Sequence, residues 1–106
     1  KAFRGRIFII HHPTALAAGY TPVLHIHTAQ MAVKFDKIES KLDARSGQEV
    51  EKNPPFLRTG EAGIVRFVPL QPIAVEAFKD FPQLGRFALR DMGTTIGAGI
   101  ILDIEE

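Results

Sequence analysis

The sequence predicts an all-β domain, either a sandwich or a small closed antiparallel barrel of about six strands. Three observations point there. Short segments alternate apolar and polar side chains with the two-residue period of a half-buried strand. Glycine and proline, 9 and 7 of them, recur between those segments as turn punctuation. No segment repeats its apolar residues at the spacing of an amphipathic helix.

The first strand covers residues 2–10, AFRGRIFII. Ala2, Arg4, Arg6 and Phe8 fall on one side and Phe3, Gly5, Ile7 and Ile9 on the other, so Phe3, Ile7 and Ile9 make the core face. His11-His12-Pro13-Thr14 ends it, because proline brings no N–H to a ladder. Gly19-Tyr20-Thr21-Pro22 opens the next element. Residues 23–33 alternate loosely, with His25 and His27 on one face and Leu24 and Ile26 on the other. Over residues 33–42, Phe35, Ile38 and Leu42 have helical spacing while Val33 and Phe35 have strand spacing; a strand bulged at about Lys37 reconciles them. DARSGQ at 43–48 is turn chemistry between two alternating arms and predicts a hairpin. Asn53-Pro54-Pro55 is a rigid extended break, and Thr59-Gly60-Glu61-Ala62-Gly63 a tight turn. Residues 64–70 form a strand with Ile64, Arg66 and Val68 opposed to Val65, Phe67 and Pro69. Residues 73–78 form another, 80–85 a loop, 86–90 a strand, 91–95 a turn and 96–104 the closing strand.

The chain has 106 residues, with 13 Lys and Arg against 12 Asp and Glu and a formal net charge of +1. That length suits one domain. With 45% hydrophobic and 24% charged residues, the composition is that of a globular protein and not of a disordered one. No run approaches the roughly 18 apolar residues of a membrane-spanning helix, and no membrane partner is expected. The absence of cysteine excludes disulfides, zinc-thiolate sites and thiol chemistry. No signal-peptide pattern opens the chain. Lys1 stands in a strand pattern with no initiator Met, which suggests a piece of a longer protein.

The near-zero charge hides an asymmetry. Residues 1–34 hold Lys1, Arg4, Arg6, Lys34 and all four histidines, His11, His12, His25 and His27, but no acid. Such a segment can track a phosphate backbone if its charges share a face. Separately solvated side chains are the alternative reading.

Few motifs suggest chemistry. The glycine-rich stretch from Gly93 through Thr94, Thr95 and Ile96 to Gly97, Ala98 and Gly99 lacks the Gly-Lys-Ser/Thr of a phosphate-binding loop. Tight curvature or close backbone approach explains it better, and no nucleotidase activity is expected of this chain. His25 and His27 stand about 6.5–7 Å apart on one strand face, too few to hold a metal without a third ligand. No nucleophile elbow or Ser/His/Asp order is present. In Leu84-Gly85-Arg86-Phe87-Ala88-Leu89-Arg90-Asp91, Arg86, Ala88 and Arg90 share one face and Phe87 and Leu89 the other. Two exposed arginines can bind phosphate or carboxylate; a structural Arg–Asp pair between strands is the competing reading.

Two longer motifs resemble a known family. GYTPVLHIHTA at 19–29 is similar to the signature entering the third domain of archaeal and eukaryotic elongation factor 1-alpha. FPQLGRFALRDM at 81–92, followed by Thr95-Ile96 and Gly97-Ala98-Gly99, is similar to its second signature. The resemblance runs from Phe3 to Ile104. It implies a Greek-key-type β-barrel, the C-terminal domain of a three-domain cytoplasmic GTPase that carries aminoacyl-tRNA to the ribosomal A site. GTP and Mg2+ would belong to the GTPase domain of the full-length protein, not to this chain. The resemblance also implies that the barrel packs on the GTPase domain in the GTP form, neighbours domain II, and touches the T-stem backbone of the tRNA.

Carried over by position, the T-stem contacts of the family fall on Val23 and Ala32, on Gln71 beside Pro72, and on Asp91, Met92 and Gly93. Val23 and Ala32 cannot make side-chain hydrogen bonds, and Gln71 carries no charge. Backbone N–H groups of Met92, Gly93 and Thr94 can serve phosphate. His11 and His12 lie near a basic loop position of the family. His25, His27, Arg86 and Arg90 are candidates for the RNA or the domain interface. A rival within the same superfamily is the barrel of a release factor 3-type or ribosome-rescue GTPase, to which Phe78-Lys79-Asp80-Phe81-Pro82 and His25-Ile26-His27 are similar. That reading implies docking of a release factor 1-type or Pelota-type protein.

Overall fold

The computed structural model describes residues 2–12, 15–26, 29–43, 45–70 and 86–105. Among them are seven strands: β1 (Ala2–Ile9), β2 (Val23–Ile26), β3 (Ala29–Leu42), β4 (Glu49–Lys52), β5 (Ala62–Pro69), β6 (Arg86–Asp91) and β7 (Thr94–Glu105). The expected strand at 73–78 and loop at 80–85 lie outside the described residues, as do Lys1, Pro13, Thr14, His27 and Gln71.

Every pairing is antiparallel. The sheet runs β2-β6-β7-β1-β5-β3-β4, and β2 also pairs with β3. Six strands therefore form a ring, with β4 attached outside on β3. The near-closed ring gives each of its six strands two neighbours and so covers edges that would otherwise template aggregation; β4 pairs on one side alone among the described residues.

The alternation in β1 holds: Phe3, Ile7 and Ile9 are buried, and Arg6 and Phe8 face out. Residues 23–33, expected as one loosely alternating element, are two strands of a hairpin with Ile26 opposite Ala29. The bulge expected near Lys37 is present in β3, where the register slips between Phe35 and Lys37; a second slip lies between Ile38 and Ser40. Two bulges explain how Phe35, Ile38 and Leu42 all reach the core from one strand. The 43–48 hairpin is closed by Asp43 N–H donating to Gln48 O at 2.8 Å and Gly47 N–H donating to Asp43 O at 2.8 Å.

Aromatic rings fill the interior. Phe3 stacks on Phe67 at 5.0 Å between centroids, and Phe35 and Phe87 meet Phe67 edge-on at 5.2 and 5.9 Å. A barrel this narrow has room for four such rings only if some inward positions are small. Gly5 on β1 and Gly99 on β7 provide it. A Cβ on Gly5 would come within 3.0 Å of the Phe87 ring, and one on Gly99 would meet the same ring and collide with the Arg6 carbonyl oxygen. The glycine-rich closing strand thus reflects close approach, as its lack of a phosphate-loop pattern suggests. Leu16 and Leu57, joined by an isolated bridge, plug the core from the loops.

Candidate functional site

Strand β6 places its outward residues in rows across the barrel. Val23 on β2 is opposite both Ala32 on β3 and Arg90 on β6, and Arg90 is opposite Thr95 on β7. Partners directly opposite share a face, so Ala32, Val23, Arg90 and Thr95 line up on the outer surface. Asp91 is opposite Thr94, and the two-residue turn between them is Met92-Gly93. Both turn residues have positive φ, 54° at Met92 and 73° at Gly93, as a type I′ hairpin requires. Met92 is 69% exposed. The structure thus gathers Val23, Ala32, Arg90, Asp91, Met92, Gly93 and Thr94 at one end of the barrel.

That end is braced from inside. Tyr20 Oη donates to Asp91 Oδ2 at 2.6 Å, joining residues 71 positions apart. The Tyr20 segment is itself fixed to β3, with Gly19 N–H donating to Phe35 O at 2.7 Å and Phe35 N–H donating to Tyr20 O at 2.8 Å. The Tyr20 ring meets Phe35 edge-on at 5.4 Å and His12 edge-on at 5.3 Å. His12 Nε2 lies 4.0 Å from Asp91 Oδ2, and the imidazole is only 7% exposed. The His12 main chain is tied to the 59–60 turn, its N–H donating to Thr59 Oγ1 at 2.9 Å and its carbonyl accepting from Thr59 at 3.1 Å. Burial, the hydrogen bond to Asp91 and the Asp91 charge all raise the Tyr20 hydroxyl above its ordinary value, so it stays a neutral donor. Arg90 Nη2 donates to the Gly93 carbonyl at 3.0 Å.

This arrangement alters several expectations. Among the described residues neither Arg86 nor Arg90 pairs with an acid across strands; Arg90 caps its own turn. The Asp91 carboxylate is engaged by Tyr20 rather than by an arginine. In a turn of this type the N–H of the fourth residue closes on the carbonyl of the first, so the outward backbone donors narrow to Met92 and Gly93 and exclude Thr94. His25 sits one row away, opposite Ala88 and Gln30. Arg86 stands at the other end of β6, opposite Ile100, away from the Met92-Gly93 turn. The acid-free run at the start of the chain does not stay acid-free in space, because Arg4 Nη1 reaches Glu39 Oε1 on β3 at 3.1 Å. Among the described residues no three His, Asp or Glu side chains gather as a metal site. Sequence reasoning missed Tyr20 as the partner of Asp91. The available signal was that each of the two long motifs carries one of the pair.

The chain matches the family described as GTP-eEF1A C-terminal domain-like over residues 2–102. It belongs to the elongation factor 1-alpha C-terminal domain family. Elongation factor 1-alpha of Hyperthermus butylicus is 55% identical over 105 residues, which is 99% of this chain and 24% of that protein. The same factor from Saccharolobus solfataricus is 56% identical over 103 residues, again 24% of its length. A crystal structure of sup35 complexed with GDP superposes with a TM-score of 0.84 at 37% identity, covering 99% of this chain and 26% of that one. The chain thus spans about a quarter of the length of these relatives.

Proposed function

We propose that this elongation factor 1-alpha domain contributes backbone contacts to the T-stem of aminoacyl-tRNA during delivery to the ribosomal A site. The contact surface is the Met92-Gly93 turn with the flanking Val23–Arg90 row. One observation carries the reading: the turn is exposed at its tip yet held from beneath, by Tyr20 on Asp91 and by Arg90 on Gly93. A fixed pair of outward N–H groups beside one arginine suits a phosphate and cannot read a base edge. The Asp91 carboxylate keeps its charge but is anchored by the Tyr20 hydroxyl, which donates to Oδ2.

The remaining outer surface supports packing on the GTPase domain of the full-length protein, which would hold GTP and Mg2+. Ala88, Ala98 and Phe8 lie side by side across β6, β7 and β1, and Phe8 is 41% exposed. An apolar strip of small residues flanking one phenylalanine fits a protein surface better than water. We infer domain II, the ribosome and release or rescue factors as further partners on the family resemblance alone.

The test uses the full-length factor. Arg90→Ala should weaken aminoacyl-tRNA binding and flatten its salt slope by about one. The isolated barrel, with a net charge of only +1, should bind feebly. An unchanged slope in Arg90→Ala, or submicromolar binding by the barrel alone at physiological salt, would overturn the assignment.

A further inference from the structure

The far end of β6 carries a second feature. A groove of about 490 Å³ lies where β1, β6 and β7 meet the 43–48 hairpin. Three arginines line it: Arg6 from β1, Arg86 from β6 and Arg45 from the hairpin turn. Arg6 and Arg86 are both opposite Ile100, so they flank it on the outer face. Their Cα atoms are two strand spacings apart, about 10 Å. Gly47 lies under the Arg6 guanidinium, a Cβ there falling 3.8 Å from Nη1.

These three arginines differ from the rest. Arg4 pairs with Glu39, Arg66 with Asp36, Arg90 with the Gly93 carbonyl, and Arg58 lies 4.6 Å over the Phe56 ring. Among the described residues Arg6, Arg45 and Arg86 have no ion-pair or side-chain hydrogen-bond partner. The groove lining holds one carboxylate, Asp43, and its Oδ1 already accepts the Arg45 N–H at 2.9 Å. Between Arg6 and Arg86 the surface is apolar at Ile100; Phe8 and Ala98, one row further along, belong to the strip assigned above to the GTPase domain.

We propose that this groove docks an acidic peptide segment of a partner protein, in which two carboxylates flank an apolar side chain. Charge complementarity selects the sign: the lining holds three arginines and one carboxylate that is already engaged. The apolar floor selects peptide over nucleic acid, since a phosphate backbone has nothing to bury on Ile100. Arginine suits the task because its planar fork binds carboxylate through two parallel N–H groups. In an extended peptide, residues i, i+2 and i+4 share a face about 13 Å long. An i+2 leucine then reaches Ile100 while the i and i+4 carboxylates reach Arg6 and Arg86. The proposal is independent of the RNA contact at the opposite end of β6.

The probe is the end-blocked peptide Glu-Ser-Leu-Ser-Glu, titrated into the 106-residue chain and followed by amide chemical shifts. The expected result is saturable binding that moves resonances at Arg6, Arg45, Arg86 and Ile100. It should weaken at least ten-fold in the Arg6→Gln/Arg86→Gln variant, and comparably when the peptide leucine is replaced by serine. The variant's unchanged spectrum elsewhere would show that the fold persists. Four outcomes would overturn the proposal: no saturable shift; equal binding by the double variant; tighter groove binding by an RNA oligomer of matched charge; and loss of binding in the full-length factor, which would mean that its other domains cover the groove.

Discussion

The two ends of β6 treat their charges in opposite ways. At the Asp91 end the polar side chains of the brace have partners within the fold: Asp91 holds Tyr20, Arg90 holds the Gly93 carbonyl, and His12 packs against the Tyr20 ring. At the Arg86 end three arginines line a shared groove, and their side chains have no such partners among the described residues. An engaged polar group shapes the backbone, and an unengaged one is available to something else. The contrast teaches that charge on a surface means little until its partners are counted. It also separates two expected signatures. Substitutions at the braced end should change stability as well as binding, whereas substitutions at the open end should change binding alone.

The largest effect tests what both ends share, which is β7. Gly99 lies between Phe87 and the Arg6 backbone. Gly99→Ala should cost about 3 kcal/mol in urea denaturation, because the new Cβ meets main chain that cannot rotate away. The strand connects the Met92-Gly93 turn to the Arg86–Ile100–Arg6 row, so both binding surfaces should degrade together. A stable Gly99→Ala protein that lost only one of them would break the comparison.

The next effect separates the ends. Asp91→Ala leaves the half-buried Tyr20 hydroxyl without its acceptor and should cost about 2 kcal/mol. Tyr20→Phe keeps the ring contacts with Phe35 and should cost about 1 kcal/mol. Arg86→Gln should lie within about 0.5 kcal/mol of wild type, since it breaks no contact among the described residues. Equal losses for Asp91→Ala and Arg86→Gln in the same denaturation series would erase the distinction.

How much of this was legible in the sequence follows the same division. Local pattern showed the strands around Phe3, Ile7 and Ile9 and around Val65 and Phe67, because alternation is a property of neighbouring residues. It hid the β2–β3 hairpin, since nothing at 27–28 carries the Gly, Asn or Asp of a two-residue turn. It placed the first bulge of β3 within a residue or so and missed the second, between Ile38 and Ser40, which shows only in the pairing with β5. The Tyr20–Asp91 bond and the meeting of Arg45 with Arg6 and Arg86 depend on ring closure. Beyond the two long motifs, which carry Tyr20 and Asp91 one each, no pattern in the chain announces which distant side chains closure will bring together.

Glu61 gives the smallest and most conditional effect, and it extends the comparison to a third charged site. Its carboxylate accepts from Lys41 Nζ at 2.6 Å and from the Arg58 N–H at 2.7 Å. Burial alone would raise its pKa, but the Lys41 and Arg58 hydrogen bonds and charges outweigh that and lower it. A carboxyl whose folded pKa lies below its unfolded value stabilises the fold above the unfolded value, about 4.3 for glutamate. That contribution is lost as pH falls through the folded value. Wild type should therefore exceed Glu61→Gln in stability by about 0.5 kcal/mol at neutral pH, the scale of a solvent-screened pair. The gap should close in acid, where both chains carry a neutral side chain. Urea denaturation of the two proteins across pH 2–7 measures it. A gap that stayed constant with pH would mean that Glu61 acts through packing, and the site would then belong with neither end of β6.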